Sequence, residues 1–116
     1  VFPFETEFAT DLANGEYDPA AFNSEKLAMG AVKIVADGSI QGFTAYLSAP
    51  YHTPYHGDEA YRGYPSIPRE KLFAQVEALH RAGHQIAIHG NGDAAIEDIL
   101  DAFESAQQAH PVADPR

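Results

Sequence analysis

An α/β fold with parallel strand pairing is predicted for this chain of 116 residues, and three observations predict it. Two short runs rich in β-branched residues, 31–36 and 85–89, each stop at a glycine-containing turn. Two stretches of helical apolar periodicity, 68–82 and 93–108, come after them. Strand and helix therefore alternate, and alternation of this kind means crossovers that bring successive strands together in parallel.

Composition narrows the function classes. A formal charge of −10 argues against nucleic acid or an anionic membrane as partner, because both call for basic patches. With no cysteine there is neither a disulfide nor a thiolate metal site. No apolar run approaches the ~18 residues of a membrane span and no signal-peptide pattern is evident, so a cytoplasmic location is the expectation. The chain begins at Val1, has Met29 as its one methionine and stops at Pro115-Arg116. A piece of a longer polypeptide is expected, since a complete eight-unit barrel needs roughly 200 residues.

The elements follow in order. Residues 1–30 read as an irregular lead-in, with Phe2, Phe4 and Phe8 as core-facing anchors and Asn14-Gly15 as a turn. Residues 31–116 read as βα units. The first strand carries an anomaly, Lys33, which is either an edge residue in solvent or a functional lysine, paired or chemically modified, inside a barrel or cleft. Residues 41–65 form a long loop with five tyrosines, at 46, 51, 55, 61 and 64. Tyrosine supplies contact area at small entropic cost, so the loop reads as an ordered wall or lid. His52 and His56 have the spacing of a helical zinc pair, but Pro54 between them opposes a helix and leaves them as polar loop surface.

Pro68 opens the first helix, Leu72, Val76 and Leu79 share its apolar face, and Gly83 ends it. His80 reads as a cation at the helix end and His84 as a surface residue. The second strand ends at His89, on the strand edge where ligands and catalytic groups gather in α/β folds. Gly90 and Gly92 would keep the turn open for a ligand or metal. Asp93 stands where a helix N-cap is wanted. The last helix is expected to bury Ile96, Ile99, Leu100 and Phe103 and to carry Glu97, Asp98, Asp101 and Glu104 outward. Residues 110–116 read as a linker.

Residues 30–39, which include Val32-Lys33-Ile34-Val35-Ala36-Asp37-Gly38-Ser39, closely resemble a segment of amidohydrolase family 3, the YtcJ-like metal-dependent hydrolases. So do Tyr61-Arg62-Gly63, the helix end Leu79-His80-Arg81-Ala82-Gly83, and residues 85–95 with Ile88-His89-Gly90-Asn91-Gly92-Asp93. Each motif alone is weak, and the set in register is fairly specific. The resemblance implies a partial (β/α)8 TIM barrel of the metal-dependent hydrolase type, about two βα units plus a long active-site loop. It implies one or two divalent ions, usually zinc, with Lys33 as the strand-four lysine and His89 as the strand-five histidine ligand. In many binuclear members that lysine is carboxylated and bridges the metals. Asp37, Ser39, Arg62 and Asp93 match family positions and are assigned to ordering loops, supporting the ligands or shaping the substrate loop.

The family's paired strand-one histidines, strand-six histidine and strand-eight aspartate have no counterparts here. Two ligands do not close a tetrahedral site, so the piece alone is expected to be inactive. The reading that results is a fragment of an amidohydrolase that cleaves C–N bonds of an amide, cyclic amide or N-formyl substrate through metal-activated water. Open sheet edges predict self-association or a homo-oligomer. The alternative is a non-catalytic α/β binding or interaction module, with an anion site at Gly90, Asn91 and Gly92 before the helix.

Overall fold

A computed structural model describes residues 7–115. Phe2 and Phe4 lie outside the described residues, and so does the side chain of Phe8. Two strands, β1 (Val32–Val35) and β2 (Ile86–His89), form a parallel pair. Their register sets Val32 beside Ile86, Lys33 beside Ala87, Ile34 beside Ile88 and Val35 beside His89. Two flanking bonds extend the ladder, from Val32 N–H to the Gln85 carbonyl and from Ala36 N–H to the His89 carbonyl, each 2.8 Å. Side chains alternate along a strand. Val32, Ile34, Ile86 and Ile88 therefore share one face, and Lys33, Val35, Ala87 and His89 share the other.

The first face is the core. Ile34 is fully buried and joins Leu72 and Val76 of helix α2 (Arg69–Arg81) and Ile99 of helix α3 (Asp93–Ala109) in one apolar cluster. Helix α2 follows the periodicity read from the sequence, and Gly83 beyond its end takes φ +80°, with its N–H on the His80 carbonyl at 3.0 Å. Helix α3 departs from expectation. Ile96 and Leu100 are 42% and 63% exposed, while Ala95, Ile99, Ala102 and Ala106 face inward. Both stripes have helical spacing, about 100° apart around the axis. The alanine stripe lies inside because small side chains let two helices pack closely. Asp98 and Asp101 are not a purely solvated face either. The Arg69 guanidinium bridges both carboxylates, 2.7 Å from Asp101, and its carbon lies 4.6 Å from the Phe73 ring centre.

The lead-in is more regular than its turn signals suggested. It holds helix α1 (Glu7–Ala13) and a 3-10 turn (Pro19–Phe22) in which the Asp18 carboxylate accepts from the Ala20 N–H at 2.9 Å. Leu12 of α1 is buried in the core cluster. Its carbonyl lies 3.0 Å from His84 Nε2, and the His110 carbonyl lies 2.7 Å from His80 Nε2. Both imidazoles are half-buried donors to main-chain oxygens. His84 is thus not a plain surface residue, and His80 does more than sit at a helix end. Among the described residues no helix is long and apolar enough to cross a membrane.

The radius of gyration, 16.2 Å, exceeds the ~13 Å of a compact chain of this length. The core is a single layer of sheet with helices on it, so stability rests on few buried groups. Ile34→Ala is expected to cost about 2–5 kcal/mol. A fall in the urea midpoint at constant m-value would measure it, and an unchanged midpoint would place the core elsewhere.

Candidate metal centre

The site begins with Asp37, directly beyond the end of β1. Among the described residues it is the one buried polar side chain, with no exposed surface. A carboxylate so placed must find donors, and it finds three main-chain amides. Oδ2 accepts from Tyr46 N–H and Gly92 N–H, and Oδ1 accepts from Asn91 N–H, each at 2.8 Å. One side chain thus ties the exit of β1, the long loop and the exit of β2 together.

Ser39 shapes the turn that delivers the loop. Its N–H donates to Thr44 Oγ1 at 3.0 Å, its own Oγ accepts from Gly42 N–H at 3.1 Å, and its carbonyl accepts from Thr44 and Ala45. Tyr46 then approaches the start of α3 so closely that a Cβ on Gly92 would stand 1.8 Å from the Tyr46 carbonyl oxygen. That contact corrects the reading of Gly92. The glycine is required because the chain's own backbone passes there, not because a ligand does. The Cβ of a residue at 90 would likewise meet the Ile99 side chain at 2.7 Å.

Asp93 is the first residue of α3, not its cap; the cap is Gly92, with no side-chain bond. The Asp93 carboxylate accepts instead from Ser48 N–H at 2.9 Å and from the Ser48 hydroxyl. The hydroxyl bond, more than any other contact, holds the Asp93 pKa below the ordinary 3.8. Arg62 completes the clasp. It donates to the Ser48 carbonyl and to the Tyr46 hydroxyl, both at 3.3 Å, with its guanidinium carbon 5.2 Å from the Tyr46 ring centre. The rest of the loop packs on its own aromatic cluster, in which the Tyr55 ring lies tilted against Phe43 and Tyr61 at 5.1 and 4.8 Å between centres. Burial among these rings raises the Tyr61 pKa. His52 and His56 are exposed, and His56 packs edge-on against Tyr55.

These bonds close the anion cradle considered for Gly90–Gly92. The Asn91 and Gly92 amides that would line it already hold the Asp37 carboxylate. The Ala95 amide points to the Tyr46 carbonyl at 3.3 Å.

Lys33 and His89 remain. Both are half-buried and lie on the face of the strand pair opposite the apolar core. They are offset by one strand and two residues, which puts their α-carbons about 8 Å apart. That span suits two side chains converging on one ion from neighbouring strands. Among the described residues no three His, Asp or Glu side chains cluster in a way that could hold a metal. Imidazole is a good donor for zinc and related ions, whereas an unmodified ammonium is not. The sequence placed Asn91 in a possible anion cradle and Tyr46 in a loop wall, not as partners of Asp37, and it did not single out Ser48; Asn91 Nδ2 lies 3.1 Å from His89 Nε2. The only local signal for them was the buried-strand pattern running into Asp37.

A model of the amidohydrolase family matches residues 5–116. The putative amidohydrolase YtcJ of Bacillus subtilis (strain 168) is 36% identical over 75 residues, 65% of this chain and 13% of its own length. The protein LONG AFTER FAR-RED 3 of Arabidopsis thaliana is 36% identical over 94 residues, 80% of this chain and 15% of its own. A crystal structure of an uncharacterized metal-dependent hydrolase from Pyrococcus horikoshii superposes with TM-score 0.67 at 32% identity, covering 85% of this chain and 19% of that one. One from Pyrococcus furiosus gives TM-score 0.68 at 29% identity, covering 87% and 20%. The chain therefore spans 13–15% of the curated relatives' lengths.

Two outcomes follow from the clasp. Asp37→Asn puts a donor against at least one amide and is expected to cost about 3 kcal/mol or more. Faster hydrogen exchange at Tyr46, Asn91 and Gly92 would register it, and unchanged exchange would show the tie to be dispensable. For Asp93, a lowered folded-state pKa means stabilisation that is present above pH 3.8 and lost as pH falls through the depressed value. Ser48→Ala should return the Asp93 pKa toward 3.8 in a carboxyl NMR titration. It should also shrink the loss of stability on acidification from about pH 6 to about pH 2.5, on either side of the ordinary aspartate value.

Proposed function

The chain belongs to the amidohydrolase family, and on that premise we propose that it is part of a metal-dependent hydrolase that cleaves carbon–nitrogen bonds. The observation that carries the reading is the shared face of Lys33 and His89 in the β1–β2 register. His89 at the end of β2 offers an imidazole, and Lys33 on the neighbouring strand becomes a donor only if carboxylated; the shared face supports the reading without completing a site. The similarity to two Pyrococcus structures described as metal-dependent hydrolases supports it.

In this proposal His89 contributes an imidazole nitrogen. Lys33 contributes through a carbamate, formed when its neutral amine adds to carbon dioxide and releases a proton. The carbamate replaces a non-ligating ammonium by two anionic oxygens. A divalent ion, with zinc the first choice for such a donor set, supplies Lewis acidity and lowers the pKa of water. Further ligands come from other parts of the longer protein, because two donors do not complete a site. Asp37 and Asn91 fix the backbone around His89. Ser39, Ser48, Arg62 and Asp93 hold the tyrosine-bearing loop against the same rim, where it would form a wall for a small amide, cyclic amide or N-formyl substrate.

The same reading gives the fold its context. The β1–β2 pair and its helices would be consecutive units of a (β/α)8 barrel, and the outward Ile96 and Leu100 side chains would be covered by a neighbouring unit or a second copy. The experiment is direct. In the full-length protein, Lys33→Ala and His89→Ala should each lower bound divalent metal and hydrolysis of an N-formyl or cyclic-amide panel by at least about tenfold, the scale of losing a supporting ligand contact. Metal content by elemental analysis and turnover that both stay unchanged would sink the assignment.

A further inference from the structure

Phe43, in the long loop, takes φ +56°. A bulky residue keeps this left-handed conformation only where its surroundings over-determine it, and such positions gather at ligand sites. What holds Phe43 is a set of rings. The Tyr61 hydroxyl donates to the Phe43 carbonyl at 2.7 Å, and the Phe43 ring lies 5.0 and 5.1 Å from those of Tyr51 and Tyr55. The Tyr51 hydroxyl is likewise spent inside the loop, on the Ala45 carbonyl at 3.0 Å. The turn that Phe43 leaves from is fixed to both strand exits. There the Gly38 N–H donates to the Thr44 carbonyl at 3.0 Å, and the Gly38 carbonyl accepts from Asn91 Nδ2 at 2.8 Å.

Tyr55 is the ring that this set presents. It is 37% exposed, with Phe43 and Tyr61 packed against it and His56 edge-on at 4.2 Å. Little beside it recognises charge. Arg62, the one lysine or arginine in residues 41–65, is engaged by Ser48 and Tyr46, and the Asp58 carboxylate accepts from Ala60 N–H at 2.9 Å. Glu59 at the loop tip opposes an anion. An exposed ring with aromatic backing suits an uncharged flat group, met by offset or edge-to-face stacking. We propose that Tyr55 is a specificity-determining residue, its open ring surface receiving an uncharged aromatic substituent of the substrate while Phe43 holds the platform. That the substrate is an amide rests on the hydrolase reading, whereas the platform rests on these contacts.

The test uses the full-length protein and amides of one acyl group that carry benzyl, carboxymethyl or aminoethyl on nitrogen. The benzyl amide should have the highest kcat/KM, and preference for either charged amide overturns the proposal. Tyr55→Ala should raise KM for the benzyl amide about fivefold more than for the charged ones, the scale of one aromatic pair. Tyr55→Phe, which keeps the ring, should restore it. A loss shared equally by every amide marks a merely structural ring and overturns the proposal. Binding is read separately, from ring shifts in 13C-tyrosine-labelled protein, with Tyr55 assigned by its loss in Tyr55→Phe. Shifts at Tyr55 with the benzyl amide, but no turnover of any amide, keep the platform and sink the hydrolase reading. Turnover of the benzyl amide with no shift at Tyr55 overturns the platform and leaves that reading standing.

Discussion

A buried carboxylate with three main-chain amides around it governs the arrangement of this chain. Asp37 has no solvent to stabilise its charge, so Tyr46, Asn91 and Gly92 must supply that stabilisation together. Hydrogen bonds to a charged acceptor are stronger than neutral ones, and leaving any of them unmade inside a protein is costly. Three segments distant in sequence are therefore held to one point. The loop cannot drift from the strand exits without uncovering a charge.

The strand pair sets the second constraint. Because the register is fixed and side chains alternate, burying Ile34 under α2 and α3 obliges Lys33 and His89 to occupy the opposite face. A slip of one residue would exchange the two sets, placing the lysine in the apolar layer. The same packing that stabilises the core thus decides which side of the sheet presents Lys33 and His89. The chain belongs to the amidohydrolase family and spans 13–15% of the curated relatives' lengths.

What could be read beforehand divides along physical lines. The strands and α2 were legible because β-branched runs and helical spacing are local patterns, and the place of His89 at the end of β2 was legible because a strand end before a glycine turn is local too. The rotation of α3 was not. Its sequence offers two apolar stripes, and only the closeness of α2 decides that Ala95, Ala102 and Ala106 lie inside while Leu100 does not. The role of Asp37 was equally hidden, because its partners are backbone amides, which every residue but proline has. Asp93 was misread as a cap for a related reason: the Ser48 it binds lies 45 positions away. Asn91 was read as part of a possible anion cradle, since nothing local shows that its amide bonds the Gly38 carbonyl.

The clasp on the long loop is made largely of main chain: Tyr46 N–H on Asp37, Tyr46 carbonyl on Ala95, and Leu47 N–H on the Arg62 carbonyl at 2.8 Å. Gly63 belongs to the same fastening, since a side chain there would strike the Ala45 carbonyl. Fastenings of this sort are indifferent to residue identity at positions such as His52 and Tyr64, whose side chains face outward. Drift at those exposed positions can reshape what the loop touches while its moorings persist. Change in what the loop presents and persistence of its scaffold are in this way decoupled.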